Sequence, residues 1–307
     1  MSVQEKSFTW AREDGLARVR LSDYWELTKP RLSFLSVITA LVGYWAAGAQ
    51  GTLTGFIALF FGTAFAAGSA GALNQWLERR TDALMARTRK RPIPAGQVPP
   101  DLAVAYGTVL GLGGTALLFW GTHPLAAALA LFTILSYLLI YTPLKQRTIW
   151  NTLIGAVPGA VPPLIGWAAA TGSLDPMSWL LFAILFTWQI PHFMAIAWIH
   201  RKDYAQAGHR MLPSVDPTGI RTARHSLIFA GLMVAASVAP GLLGQTSYFY
   251  TAAALCLGGW MVVRAVEFCR EEQRELAARR LFVASIIYLP VLLTFLVFDL
   301  LWLVPAA

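Results

Sequence analysis

Three side chains that offer oxygen donors recur every fourth residue in the stretch NQWLERRTD: Asn74, Glu78 and Asp82. On an α-helix, steps of four drift by only about 40°, so the three stack along one face. Two carboxylates and a carboxamide in a row suit Mg²⁺, a hard cation that keeps several waters and bridges carboxylates to substrate phosphates. The same acids could instead pair with Arg79, Arg80 or Arg87 at a solvated helix end. A further acid, Asp203, lies in RKDYAQAGHRMLP, eleven residues after His192. Eleven residues are close to three helical turns, which puts Asp203 and His192 on one face. Asp203 could close a metal site from the opposite half of the protein; its plain alternative is a surface pair with Arg201 or Lys202.

Positive charge follows the first acidic stretch. Arg87, Arg89, Lys90 and Arg91 fall within five positions and run into Pro92, Pro94 and Gly96, which end any helix. Cations beside an acidic metal patch are what a metal diphosphate requires, because they neutralise the phosphate oxygens that the metal leaves free. Arg87 and Arg91, with Lys145 and Arg147 in YTPLKQRTIWN, are the candidate phosphate partners, although headgroup contacts would explain Lys145 and Arg147 equally. Lys29 and Arg31 flank Pro30, where snorkelling to the interface is the bland alternative. His192 interrupts an apolar run and could ligate haem iron or hydrogen-bond a substrate, against the alternative of a structurally satisfied histidine. His200 and His209 are loop candidates. Cys256 and Cys269 form no CxxC pair and imply neither a disulfide nor a zinc site.

What must position these groups is a membrane-spanning frame. Of the 307 residues, 56% are hydrophobic and 13% charged, about half the charge usual in a soluble domain. That composition excludes a disordered chain, a disulfide-rich secreted scaffold and most soluble enzymes. Nine apolar runs of spanning length fall near 32–49, 53–73, 102–120, 125–141, 151–171, 177–199, 226–244, 248–268 and 281–301. The N-terminal segment and the loops after the second, fourth, sixth and eighth runs carry Lys and Arg, whereas the loops around Gly51, His123, Gly172 and Gln245 carry none. Positive charge resists translocation, so the basic side is assigned to the cytoplasm, with the N-terminus inside and the C-terminus outside. This one-sided placement also accounts for the net charge of +8 without invoking nucleic acid. The first 28 residues hold Glu5, Glu13, Asp14, Asp23 and Glu26 and no apolar core of a signal peptide, which favours a bacterial plasma membrane over an organelle or secretion. The expected organisation is a cytoplasmic segment over 1–28 and one all-α membrane-embedded domain over 29–307.

The acidic and basic stretches together resemble the intramembrane prenyltransferase superfamily, and more narrowly the haem-farnesylating (haem O synthase) family within it. The family's first motif, Asn, three residues, an acid, three residues, Asp, then Met, Arg, Thr, Arg and Pro, is met by Asn74, Glu78, Asp82, Met85, Arg87, Thr88, Arg91 and Pro92. Its second is met by Asp203, Tyr204, Ala207, Gly208, Met211, Leu212 and Pro213; quinone-prenylating relatives usually carry a second Asp where Ala207 stands. The segments LTKPR, YTPLKQRTIWNTLIG, GAVPPLIGW and WQIPHF are also similar, so the resemblance covers about residues 27 to 215. Glu78 departs mildly from the family, where Asp is common.

The resemblance implies a bundle of about nine transmembrane helices around a central cavity open to the cytoplasmic side and to lipid. It implies farnesyl transfer from farnesyl diphosphate to a vinyl group of haem b, with addition of water, and Mg²⁺ as cofactor. Asn74, Glu78, Asp82 and Asp203 would hold metal and diphosphate, Arg87, Arg91, Lys145 and Arg147 would bind phosphate, and His192 would contact haem. The implied partners are the two substrates and membrane lipid, with haem A synthase or an oxidase assembly protein as a candidate and no nucleic acid.

Overall fold

The computed structural model describes residues 19–48 and 52–303. Most of the expected N-terminal segment and the loop around Gly51 therefore lie outside the described residues. Within them the chain forms α1 (Leu21–Leu27), α2 (Pro30–Ala46), α3 (Leu53–Asp82), α4 (Pro100–Gly121), α5 (Pro124–Leu144), α6 (Asn151–Thr171), α7 (Pro176–Ile199), α8 (Arg201–Gln206), α9 (Ile220–Leu242), α10 (Tyr248–Cys269) and α11 (Arg274–Trp302). Eight of these helices are long and apolar enough to cross a membrane. α2, with 17 residues, sits at the lower limit for a span. Each of the nine apolar runs thus becomes a helix. No strand forms among the described residues.

Proline sets several of the starts. Pro30, Pro100, Pro124 and Pro176 each occupy the first turn of a helix, where the missing N–H costs nothing. α6, read as one run, is two segments that meet at Val161 because Pro162 and Pro163 interrupt the hydrogen-bond ladder. α3 runs nine residues past the apolar stretch that announces it, to Asp82. Its polar extension is made of good helix formers, which keep the backbone bonded after the side chains have left hydrocarbon.

Two cores divide the packing. One gathers α2, α3, α5 and the second half of α6; the other gathers α7, α9, α10 and α11. They are joined where α6 meets α7 and where α2 meets α11. α2 and α6 approach so closely that Gly43 and Gly166 leave no room for a Cβ against the carbonyls of Pro163 and Ala40. Close backbone approach at small residues is how helices gain packing energy where lipid removes the hydrophobic drive between them. Val109, Leu112, Leu139 and Val263 are exposed outward, as lipid-facing side chains are. Trp120, Tyr248 and Trp302 are exposed at helix ends, where amphipathic rings favour the interface.

Candidate active site

The site begins with the register of α1 and α2 on α3. Gln75 Nε2 donates to the backbone carbonyls of Glu26 and Leu27 at 3.2 and 3.0 Å, holding the α1–α2 junction on α3. At that junction Lys29 takes a left-handed backbone with φ 50°, a conformation that costs a non-glycine residue about 1–3 kcal/mol. The result is that Lys29 Nζ donates to Asn74 Oδ1 at 2.5 Å.

The row foreseen on α3 exists and is buried: Asn74, Glu78 and Asp82 are 0%, 8% and 1% exposed. A different cation meets each of them. Lys29 holds Asn74, Lys145 Nζ donates to Glu78 Oε1 at 2.7 Å, and Arg91 Nη1 donates to Asp82 Oδ2 at 2.6 Å. Asn74 Nδ2 also donates to Thr142 Oγ1 at 3.1 Å. Thr142 and Lys145 reach the row because α5 ends in a π-helical turn over Ser136–Tyr141, whose Tyr137 carbonyl accepts from Thr142 Oγ1. The loop after α3 is ordered by Thr88 Oγ1, which donates to the Asp82 carbonyl at 2.8 Å, and by Ile93 and Val98, which are buried against Leu27 and Ala72.

Three buried or half-buried cations face two carboxylates, so positive charge is in excess. Burial, and then the Arg91 guanidinium, push the Lys29 ammonium down to about 7. For Lys145, burial works against the charged form, and the Glu78 carboxylate more than offsets it, leaving the ammonium above its ordinary value. An anion supplied from outside would relieve this imbalance.

The donors on α3 are all oxygen, which fits a hard divalent cation in chemistry. One oxygen of each is engaged here by an ammonium or guanidinium group, while Glu78 Oε2 and Asp82 Oδ1 make no hydrogen bond among the described residues and are free to meet a metal. Among the described residues, no group of three or more His, Cys, Asp or Glu is close enough together to hold a metal. Asp203, on α8, shares no hydrogen bond with the α3 row; its carboxylate lies 4.0 Å from His200 Nδ1 with 31% of the side chain exposed. The neighbouring Tyr204 does reach across, because its hydroxyl accepts from Arg87 Nη2 at 3.2 Å. The two polar loops are tied again where Arg210 N donates to the Lys145 carbonyl at 2.7 Å. Arg147 is exposed and makes no side-chain bond to the row among the described residues.

A cavity of about 430 Å³ begins beside the row at Lys29, Arg87, Tyr141 and Tyr204, and continues between α2, α3, α5, α6 and α7 past Gln189 and His192. Its walls are mostly apolar, so it offers an ionic end and a hydrocarbon body. Lys29, readable from sequence as a snorkelling side chain, is instead part of the row. Tyr141 and Thr142 carried no signal in the sequence beyond the YTPLK motif, and Tyr137, four residues before it, carried none. His209 is 5% exposed, with Nδ1 lacking a partner. The sequence offered it as a loop candidate, and the left-handed Gly208 stands just before it.

A family model described as the UbiA prenyltransferase family matches residues 36–286. The chain is 50% identical over 288 residues to a protein named protoheme IX farnesyltransferase from Opitutus terrae, covering 94% of this chain and 98% of that one. It is 41% identical to a protein of the same name from Solibacter usitatus, covering 91% and 99%. Among solved structures, a digeranylgeranylglyceryl phosphate synthase superposes with a TM-score of 0.78 at 16% identity, covering 92% of this chain and 99% of that one. A UbiA homolog from Archaeoglobus fulgidus bound to GPP and Mg²⁺ superposes with a TM-score of 0.64 at 12% identity, covering 89% and 99%. At such identities the structural likeness is one of fold.

Proposed function

From the premise that this chain belongs to the UbiA prenyltransferase family, and within it to the protoheme IX farnesyltransferases, we propose that it joins the farnesyl group of farnesyl diphosphate to a vinyl group of haem b. The bond between farnesyl C1 and the diphosphate oxygen breaks, and C1 bonds to the terminal vinyl carbon. Water adds to the carbon next to the porphyrin and loses a proton. The products are haem O, with its hydroxyethylfarnesyl side chain, and diphosphate.

The observation that carries this reading is the row Asn74–Glu78–Asp82, crossed by Lys29, Lys145 and Arg91, at the ionic end of an apolar cavity. Asn74, Glu78, Asp82 and Asp203 would hold Mg²⁺. Bound Mg²⁺ supplies electrostatic stabilisation of the charge that develops on the departing diphosphate. Arg87, Arg91 and Lys145 bind and orient the phosphate oxygens, with Arg147 at the rim. The apolar walls take the farnesyl chain and keep water from the allylic carbon until it has bonded. Both substrates are amphipathic, and the membrane is where they meet. The row faces the cytoplasm of a bacterial plasma membrane, with the N-terminus inside and the C-terminus outside.

Purified protein given farnesyl diphosphate, Mg²⁺ and haem b should yield a haem heavier by one farnesyl group and one hydroxyl group in mass spectrometry. Hydroxybenzoate or homogentisate in place of haem should yield no prenylated ring. Prenylation of either phenolic acid with haem b unchanged would overturn the assignment.

A further inference from the structure

His192 sits in the cavity wall on α7, held from three sides. Trp188 stacks on one side with ring centroids 5.0 Å apart at 25°, and Phe282 of α11 lies 5.0 Å away at 34°. Trp188 is itself fixed to α11, because its Nε1 donates to the Ser285 carbonyl at 2.8 Å. The third contact is His192 Nδ1 to Ser285 Oγ at 2.8 Å. The ring therefore has little freedom to flip or tilt.

The hydroxyl of Ser285 decides which nitrogen carries the proton. Ser285 Oγ also lies 2.6 Å from the Phe282 carbonyl, which can only accept. A serine has one hydrogen to give. With that hydrogen committed to Phe282, Oγ can only accept from His192, so Nδ1 is the protonated nitrogen. Nε2 is then a bare lone pair, and it makes no hydrogen bond among the described residues. A fixed, unprotonated imidazole nitrogen in an apolar cavity is an arrangement built for a Lewis acid. Metal-bound histidines commonly donate their other ring N–H to an oxygen acceptor, which fixes the tautomer and raises ligand basicity.

We propose that His192 Nε2 is an axial ligand to the iron of the acceptor haem, with Ser285 as the positioning residue that sets its tautomer. This rests on haem being the acceptor. The ligand would fix the porphyrin within the cavity and leave its edge, where the vinyl groups lie, to meet the farnesyl carbon. His192 is seven residues before the end of α7, roughly 10 Å along the helix axis. Iron ligation at that depth keeps the porphyrin among apolar walls and clear of the ionic row.

The test titrates ferric haem b into full-length wild-type protein and into His192→Ala, His192→Gln and Ser285→Ala variants, read by optical absorption and electron paramagnetic resonance. Wild type should show imidazole-ligated haem, and both His192 variants should lose that signature. Free imidazole should restore it in His192→Ala, where the side chain leaves room. If His192→Ala does not fold, His192→Gln, which keeps the bulk and a polar contact, carries the comparison. Ser285→Ala should keep the ligand type and weaken haem affinity by roughly tenfold or more. Spectra of the His192 variants matching wild type would overturn the assignment. Mass analysis of the haem product separates the two claims. A wild type that farnesylates haem while the His192 variants keep its spectrum sinks the ligand alone. A wild type that binds haem through His192 and transfers nothing sinks the proposed reaction alone.

Discussion

Removing Lys145 or Glu78 should cost far more alone than together. Their charged atoms are 2.7 Å apart, with 14% and 9% of the side chains exposed. At that separation and an effective dielectric of about 20, the attraction is about 6 kcal/mol. Much of it repays desolvation, and removing one partner of such a pair costs about 3–5 kcal/mol because the other charge is left buried and unpaired. Lys145→Met should fall near the lower figure, since Lys29 lies close enough to Glu78 for the charges to be felt. Glu78→Gln should fall near the upper one, because Lys29, Lys145 and Arg91 then face Asp82 alone. The double variant should be more stable than either single variant, which with single costs of about 3 and 5 kcal/mol means a coupling above about 5 kcal/mol in a cycle of denaturant unfolding midpoints followed by far-ultraviolet circular dichroism in mixed micelles. Turnover should not follow stability. Both Glu78→Gln and the double variant should lose at least about 100-fold, or about 2.7 kcal/mol, since restoring charge balance does not restore an oxygen donor. Stability effects that add to within about 0.5 kcal/mol would refute the claim that the row is one coupled network.

Chelation with EDTA should abolish farnesyl transfer without unfolding the protein, and added Mg²⁺ should restore it; turnover undiminished by chelation would remove the metal from the reading. Asp82→Asn or Asp203→Asn should leave a folded protein with transfer reduced at least about 100-fold, whereas activity within about threefold of wild type, a cost of about 0.7 kcal/mol, is too small for a ligand. Arg87→Ala should raise the KM for farnesyl diphosphate more than it lowers kcat, with partial recovery at high substrate. Single cysteines near Arg89 and Arg201 should react with impermeant reagent only from the cytoplasmic side, and those near His123 and Asp175 only from outside; Arg89 and His123 labelled from one side would dismantle the nine-span topology.

The row on α3 was legible because it depends only on helical periodicity, which Asn74, Glu78 and Asp82 carry in their spacing. The spans were legible for the same local reason, with ends blurred wherever a helix outruns its apolar stretch, as α3 does to Asp82. Which cation meets which oxygen was not legible. Lys29 reaches Asn74 through a left-handed backbone set by Gln75 contacts some 48 residues away in sequence, and no local pattern encodes that. Lys145 reaches Glu78 from 67 residues away. Arg91 was a candidate by proximity, but its choice of Asp82 depends on the turn that Thr88 closes. The break in α6 was written in Pro158, Pro162 and Pro163, yet mean hydropathy carries no record of it.

The π-helical turn over Ser136–Tyr141 has a consequence for how α5 serves two masters. Its outer part, Pro124–Leu135, packs on α4 and the first core, while its inner end must deliver Thr142 and Lys145 to α3. A helix of ordinary winding advances about 100° per residue, so one phase would have to satisfy both demands. The wider turn absorbs an extra residue and lets the two ends keep separate phases. Were those same residues wound as an ordinary α-helix, the outer half would stay seated and Lys145 would swing by about 100° away from Glu78. The winding of those few residues is thus the clutch between the frame and its chemistry.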